Sequence, residues 1–117
     1  PHNYEKNCVV YTGTHDNDTL CGWYKVLDPE DLKLSQKYMN NANTPKRQIH
    51  WDFIRLALAS VADLCIIPLQ DYLGLGSEAR INTPSTLGNN WRWRMTQGCL
   101  TKELADQIRE LTTLYGR

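Results

Sequence analysis

The fold of this chain is decided by residues 8 to 19, which read CVVYTGTHDNDT. The first four residues are apolar without alternation, which is typical of a strand buried on both faces of a parallel sheet. Residues 12–19 then form a loop with two carboxylates (Asp16 and Asp18), the His15 imidazole and several hydroxyls. The C-terminal ends of parallel strands are where α/β proteins bind ligands. The other interpretation is a loop held by Asx-turns.

A second continuous apolar run, 64–69, predicts a second strand, with Pro68 near its end because proline cannot donate a ladder hydrogen bond. Two helices are predicted between the strands. One is capped by Asp28 and runs from Pro29 to about residue 39. The other runs over about 46–62, and apolar residues spaced by three and four give its buried stripe: Ile49, Phe53, Leu56, Ala57 and Val61. This order predicts a βαβ unit.

The C-terminal third is predicted to be a long loop, 70–98, followed by one helix. The loop is rich in Gly, Asn, Thr and Pro, and loops of that length are usually functional or disordered. Thr101 opens the helix and Gly116 suits its end. Its predicted buried stripe is Leu104, Ile108, Leu111 and either Leu114 or Tyr115.

Two parallel strands do not make a self-sufficient sheet, and both of their faces need cover. The chain is therefore expected to be a piece of a larger α/β fold. If eight such units close a barrel, these 117 residues are the first or last quarter of it. The apolar faces would otherwise need a partner chain.

Composition excludes several classes of function. Thirteen basic residues balance thirteen acidic ones, so there is no electrostatic footprint for nucleic acid and no basic face for a membrane. No apolar run approaches the ~18 residues of a membrane span, and no signal-peptide pattern is present. The start at Pro1 predicts a processed or truncated chain. The four cysteines are widely spread, which argues against zinc and favours free thiols in a reducing, cytoplasmic compartment.

Three further patterns favour structural interpretations. Gly74–Ala79 imitates the dinucleotide fingerprint G-x-G-x-x-A, but residues 82–84 break the chain soon afterwards, so a close-packed turn is expected. The string 91–94, WRWR, could stack on bases or sugar faces, although core and interface packing is favoured. His50, on the second helix, is expected to pack or to lie at the surface. The stretch from Asp16 onward does not match a calcium-binding loop, because Leu20 and Cys21 stand where an oxygen ligand and a glycine are needed.

Two blocks of sequence resemble the 4-α-glucanotransferases, glycoside hydrolase family 77. Residues 10–19, VYTGTHDNDT, resemble the family's last signature. Residues 71–84, DYLGLGSEARINTP, followed by 88–94, GNNWRWR, resemble its C-terminal segment. With the intervening helices, the resemblance covers nearly the whole chain. It implies that residues 1–117 are the last two βα units of the catalytic (β/α)₈ barrel domain, incomplete as a barrel.

The resemblance also implies a retaining enzyme that moves α-1,4-glucan segments between maltooligosaccharides without a cofactor or metal. Such chemistry uses a nucleophilic carboxylate and a carboxylic acid/base. In the family both lie on earlier barrel strands, and Asp18, Asp71 and Glu78 do not match their motifs. Asp16 matches the third carboxylate, which stabilises the transition state.

His15 would hydrogen-bond the same donor sugar, and Asn82 lies in a loop that approaches the glucan. The chain alone is therefore expected to be inactive. Its expected partners are a maltooligosaccharide or α-1,4-glucan and either the missing N-terminal part of the barrel or another copy of itself. The alternative is a non-catalytic glucan-binding or oligomerising structural module.

Overall fold

The computed structural model describes residues 1–117. Two strands and five α-helices are joined by loops and two short 3₁₀ turns. In chain order the elements are β1 (Val9–Tyr11), α1 (Leu20–Lys25), α2 (Pro29–Met39), a 3₁₀ turn (Lys46–Gln48), α3 (Ile49–Leu58), β2 (Leu64–Ile66), α4 (Leu69–Tyr72), a second 3₁₀ turn (Ser77–Ala79) and α5 (Lys102–Leu114). No helix has the length and apolar character of a membrane span.

The two strands pair in parallel and form an open sheet, which confirms the predicted α/β arrangement. Val9 lies opposite Leu64, and Tyr11 lies opposite Ile66. Between them, Val10 points inward and clusters with Ala57 and Ala62.

The prediction of a strand buried on both faces is wrong for this chain. Side chains alternate along a strand, and only the Val10 face is covered. On the other face four apolar side chains are between 41% and 52% exposed: Val9, Tyr11, Leu64 and Ile66. About half of each of these side chains is left uncovered by the 117 residues, so the run without alternation indicates a further cover that this chain does not supply.

Helix α3 is the centre of the main apolar core. Ile54, on α3, is fully buried and packs with Leu58, with Leu20 of α1 and with Leu111 of α5. Phe53 and Trp51 extend the cluster from the same helix. One helix thus joins the element after β1 to the C-terminal helix, and it sits beside the sheet that carries the polar loops.

The predicted helix over about 46–62 is shorter in the structure, and only Ile49 and Ala57 of its predicted stripe are fully buried. It begins with a 3₁₀ turn, and the α-helix ends at Leu58. Arg117 explains the early end, because its guanidinium donates to the carbonyl oxygens of Leu58 (3.0 Å), Ser60 (2.6 Å) and Ala62. Val61 consequently lies outside the helix and is 54% exposed. Ile54 and Leu58 take the buried positions instead.

The other helix predictions are largely confirmed. Helix α2 has the predicted bounds, and the Asp28 carboxylate accepts from the Glu30 N–H at 2.8 Å. Thr101 caps α5 through a hydrogen bond from the Leu104 N–H. On α5 only Leu111 is fully buried, and Leu114 is exposed while Tyr115 is half-buried.

The prediction of a loop from 70 to 98 is wrong at its start. Helix α4 begins directly after Pro68, whose missing N–H costs nothing at a helix N-terminus. The 3₁₀ turn Ser77–Ala79 follows. A four-residue helix has too few positions for a periodic pattern to predict it.

Candidate functional site

The polar residues gather where the two parallel strands end. Residues 12–19, named here loop A, follow β1. Residues 69–82, named here segment B, follow β2. Because the strands are parallel, their C-terminal ends share one edge of the sheet, and loop A lies against segment B.

The structure brings together all three site residues that the sequence singles out. The Asn82 side-chain amide donates to Asp16 Oδ1 at 2.6 Å, and the Asn82 backbone N–H donates to the His15 carbonyl oxygen at 3.1 Å. Arg80 Nη2 donates to the Asp16 carbonyl oxygen at 2.8 Å, and its Nε donates to the Asn82 carbonyl oxygen at 2.9 Å. Segment B therefore fixes both the backbone and one carboxylate oxygen of Asp16.

His15 and Asp16 form an accessible polar pair. His15 Nε2 lies 3.4 Å from Asp16 Oδ1, and the two side chains are 53% and 50% exposed. Asp16 Oδ2 has no hydrogen-bond partner within the chain. This oxygen and the imidazole can meet the hydroxyls of a polar ligand from solvent.

Trp91 is a functional neighbour that the favoured sequence interpretation missed. Its ring centroid lies 5.0 Å from that of His15, tilted by 40°. It is 58% exposed, so Trp91 is not part of this chain's core, while the predicted interface packing stays a prediction. Its backbone N–H donates to the Ile81 carbonyl oxygen at 2.7 Å, which holds the ring beside segment B. The signal that could have found it is the alternation with arginine, which also fits stacking on a sugar face.

Asp18 shapes loop A through both of its carboxylate oxygens. Its Oδ1 accepts from the Thr19 N–H at 2.8 Å, and its Oδ2 accepts from the Ser77 hydroxyl at 2.7 Å. Both oxygens are thus engaged within the protein. Gly22 of α1 passes so close that an added Cβ would lie 2.4 Å from Ser77 Oγ and 2.7 Å from Asp18 Oδ1. Any side chain at position 22 would therefore have to displace the Ser77 and Asp18 side chains.

Asp71 is a buried carboxylic acid that the sequence interpretation left without a role. It is 2% exposed. Its Oδ2 accepts from the Thr12 hydroxyl at 2.6 Å, and its Oδ1 accepts from the Leu20 N–H at 2.8 Å. Burial raises the pKa of this carboxyl, and the hydrogen bonds from Thr12 and Leu20 partly oppose that rise. Periodicity could not reveal it, because its partners are more than 50 residues away in the chain.

The Gly74–Ala79 string is a close-packed turn, as predicted. Gly74 has a φ of +63°, and a Cβ there would lie 2.8 Å from the His50 ring. The last three residues of the string form the 3₁₀ turn Ser77–Ala79. A turn of that length has no helix N-terminus to offer a pyrophosphate.

The structure does not support a metal site or an activated cysteine. No group of three or more His, Cys, Asp or Glu residues could hold a metal ion. Cys21 Sγ lies 3.9 Å from His50 Nδ1, but burial raises the pKa of the thiol and lowers the pKa of the imidazole. Both groups are therefore held neutral, which is the opposite of an activated thiolate.

Comparison with known proteins gives one consistent family. Residues 1–101 match the family model of glycoside hydrolase family 77, described as 4-alpha-glucanotransferase. The chain is 50% identical to the 4-alpha-glucanotransferase of Clostridium butyricum, over all of this chain and 24% of that protein. It is 48% identical to the chloroplastic/amyloplastic enzyme of Arabidopsis thaliana, over all of this chain and 20% of that protein.

A solved structure agrees with these relatives. The amylomaltase from Streptococcus agalactiae in complex with acarbose superposes with a TM-score of 0.93 at 37% identity, over all of this chain and 23% of that protein. The chain thus spans about a fifth to a quarter of the length of the relatives it matches. Its two parallel strands and helices have the arrangement of one part of that (β/α)₈ barrel, as the sequence predicts. The chain belongs to the 4-alpha-glucanotransferase family, glycoside hydrolase family 77.

Proposed function

We propose that this chain is the C-terminal segment of a retaining 4-α-glucanotransferase and supplies the third carboxylate of its active site. One observation carries the proposal. Asn82 holds Asp16 Oδ1 at 2.6 Å, while Asp16 Oδ2 is left unpaired and accessible at the carboxyl ends of two parallel strands. Ligand sites of barrel enzymes lie at that edge.

Each residue would have a distinct part in sugar binding. Asp16 Oδ2 would accept hydrogen bonds from hydroxyls of the donor sugar, and these would strengthen as the ring flattens and gains positive charge. Binding that is stronger in the transition state than in the ground state raises kcat. His15 would hydrogen-bond the same ring, while Asn82 keeps Asp16 oriented and lies next to the glucan.

The chemical step itself would come from elsewhere in the barrel. Double displacement needs a nucleophile and an acid/base about 5–5.5 Å apart. Asp18 has both oxygens engaged, and Asp71 is buried. Neither matches the family's motifs for those roles, so the 117 residues alone would bind sugar at most. Carboxyl chemistry of this kind requires no cofactor.

The substrate and the location follow from the same proposal. The substrate would be a maltooligosaccharide or an α-1,4-glucan, which the acarbose complex of the Streptococcus relative supports. The exposed face of the sheet would be covered by neighbouring barrel strands. Four free cysteines fit a reducing cytoplasmic compartment.

A chimera tests the proposal. In the Clostridium butyricum relative, this chain replaces the segment that it matches over its full length; this protein is called the chimera below. We expect the chimera to disproportionate maltotriose, with release of glucose, and the 117-residue chain alone to release none. A folded chimera without transfer activity, or an isolated chain as active as the chimera, would overturn the proposal.

A further inference from the structure

We infer that Asp71 is a positioning residue that holds both ends of loop A and thereby fixes where Asp16 and His15 meet the sugar. The inference rests on the function proposed for Asp16. It extends that function to a side chain that is 2% exposed and therefore cannot itself touch substrate.

The geometry places one carboxyl group at both ends of the loop. Thr12 is the first residue of loop A, and Leu20 is the first residue after it. The Thr12 hydroxyl donates to Asp71 Oδ2 at 2.6 Å, and the Leu20 N–H donates to Asp71 Oδ1 at 2.8 Å. The group thus ties together the point where β1 ends and the point where α1 begins.

The middle of loop A is fastened to the same segment of chain. Asp16 is held by Asn82 and Arg80, and Asp18 is held by Ser77. Every one of these partners, and Asp71 itself, lies in segment B. Loop A has no helix or strand of its own, only one internal turn, so its placement against segment B depends on these hydrogen bonds.

The two hydrogen bonds at Asp71 explain why loosening the ends of loop A would affect catalysis. Without the carboxyl group, a half-buried hydroxyl and a buried backbone N–H would lose their acceptor, and the loop would shift to find others. A misplacement of about 1 Å in a catalytic group can cost about 10²-fold in rate. Asp71 can therefore influence the reaction through Asp16 without contact to the sugar.

The chemistry of the side chain gives a matched set of variants. In Asp71→Asn the remaining oxygen can still accept from the Leu20 N–H, and the amide can donate to the Thr12 hydroxyl. Asp71→Ala removes both hydrogen bonds, whereas Thr12→Val removes one of them with little change of shape. Asp28→Ala is the stability control, because Asp28 caps the distant helix α2 through one hydrogen bond.

The test measures kcat and KM of the chimera on maltotriose for all four variants. Asp71→Ala is expected to lower kcat by about 10²-fold with less than about a threefold change in KM. Thr12→Val should lower kcat by about two- to tenfold, and Asp71→Asn should stay within about threefold of the unsubstituted chimera. Asp28→Ala should lower the unfolding midpoint and leave kcat unchanged.

Amide hydrogen exchange gives a readout that is independent of activity. Asp71→Ala, or Thr12→Val if the alanine variant does not fold, should speed exchange across residues 12–20 by about tenfold or more, while Asp28→Ala should not. An inactive unsubstituted chimera would overturn the proposed function, and hydrogen exchange of residues 12–20 would still decide the role of Asp71. A folded Asp71→Ala or Thr12→Val variant with unchanged kcat and unchanged loop exchange would overturn the inference.

Discussion

At the scale of single residues, the site is built on the two oxygens of Asp16. Oδ1 accepts from Asn82 at 2.6 Å, while Oδ2 has no partner in the chain and the side chain is half exposed. A carboxylate with one oxygen fixed and one oxygen free is oriented before ligand arrives. Preorganised charge of this kind is the most effective way to stabilise a developing cation.

Asp16→Asn in the chimera should therefore lower kcat on maltotriose by about 10²-fold or more, because loss of one preorganised group typically costs that much. KM should change little, since the lost interaction belongs to the transition state. Steady-state kinetics of glucose release provide the measurement. Asp106→Asn is the control, as Asp106 lies on α5 in surface ion pairs with Lys102 and Arg109. Equal effects of the two substitutions would contradict the role of Asp16.

Asp71 should also leave a signature in the pH dependence of stability. Burial raises the pKa of its carboxyl above the ordinary value of 3.8, so the folded protein keeps this proton to higher pH than the unfolded chain. The stabilisation that comes from the protonated Asp71 carboxyl is then complete below the ordinary pKa and is lost as the pH rises through the raised pKa. Asp71→Asn removes this dependence.

Urea unfolding of the chimera between pH 4 and pH 7 provides the measurement for Asp71. The stability of Asp71→Asn relative to the unsubstituted protein should rise with increasing pH. A relative stability that stays constant or falls across this range would contradict a raised pKa.

At the scale of elements, α3 is the support on which the site rests. Ile54 is fully buried and meets Leu20, which follows loop A directly, and Leu111 of α5. The core therefore reaches the end of loop A through Leu20, at the start of α1.

Ile54→Ala should lower the free energy of unfolding of the chimera by about 2–5 kcal/mol, because it deletes buried methyl groups and leaves a cavity. Leu114→Ala, at a side chain that is 63% exposed, should change it by less than about 0.5 kcal/mol. Urea unfolding followed by tryptophan fluorescence gives both values. A Leu114 effect as large as the Ile54 effect would show that α3 is not the centre of the core.

At the scale of the whole molecule, the uncovered face of the sheet is the main open feature. Val9, Tyr11, Leu64 and Ile66 are all between 41% and 52% exposed on two adjacent strands. Paired strands with a free apolar face and free edges associate with other chains unless they are covered. In a closed barrel, neighbouring strands pair with the free edges, and inward-pointing side chains of the other strands fill the space over the face.

The isolated 117-residue chain should accordingly self-associate, as measured by light scattering at several concentrations. Leu64→Lys should shift it towards the monomer by placing a charge on the sheet face. Val26→Lys should have no such effect, because Val26 is 78% exposed at the end of α1 and is not part of the sheet. A monodisperse monomer for the unsubstituted chain would contradict this expectation.

Local patterns were sufficient to predict much of this molecule. The apolar runs around Val10 and Cys65 predicted two parallel strands, and Asp28 with Pro29 predicted where α2 begins. These features depend on neighbours in the chain, such as a cap or a run of one polarity. The family resemblance rested on residues 10–19 and 71–94, and from it came Asp16, His15 and Asn82.

Contacts between distant residues decided the rest. Arg117 ends α3 by donating to carbonyl groups more than 50 residues earlier, so the helix stops before Val61. Trp91 lies beside His15 because segment B folds back onto loop A. The sequence alone determined the two apolar runs that contain the strands and the polar groups that follow them, although β2 ends at Ile66, before the predicted end near Pro68. Only the tertiary structure showed that Asp71 holds loop A, because a buried carboxyl group takes its role from donors that the fold brings to it.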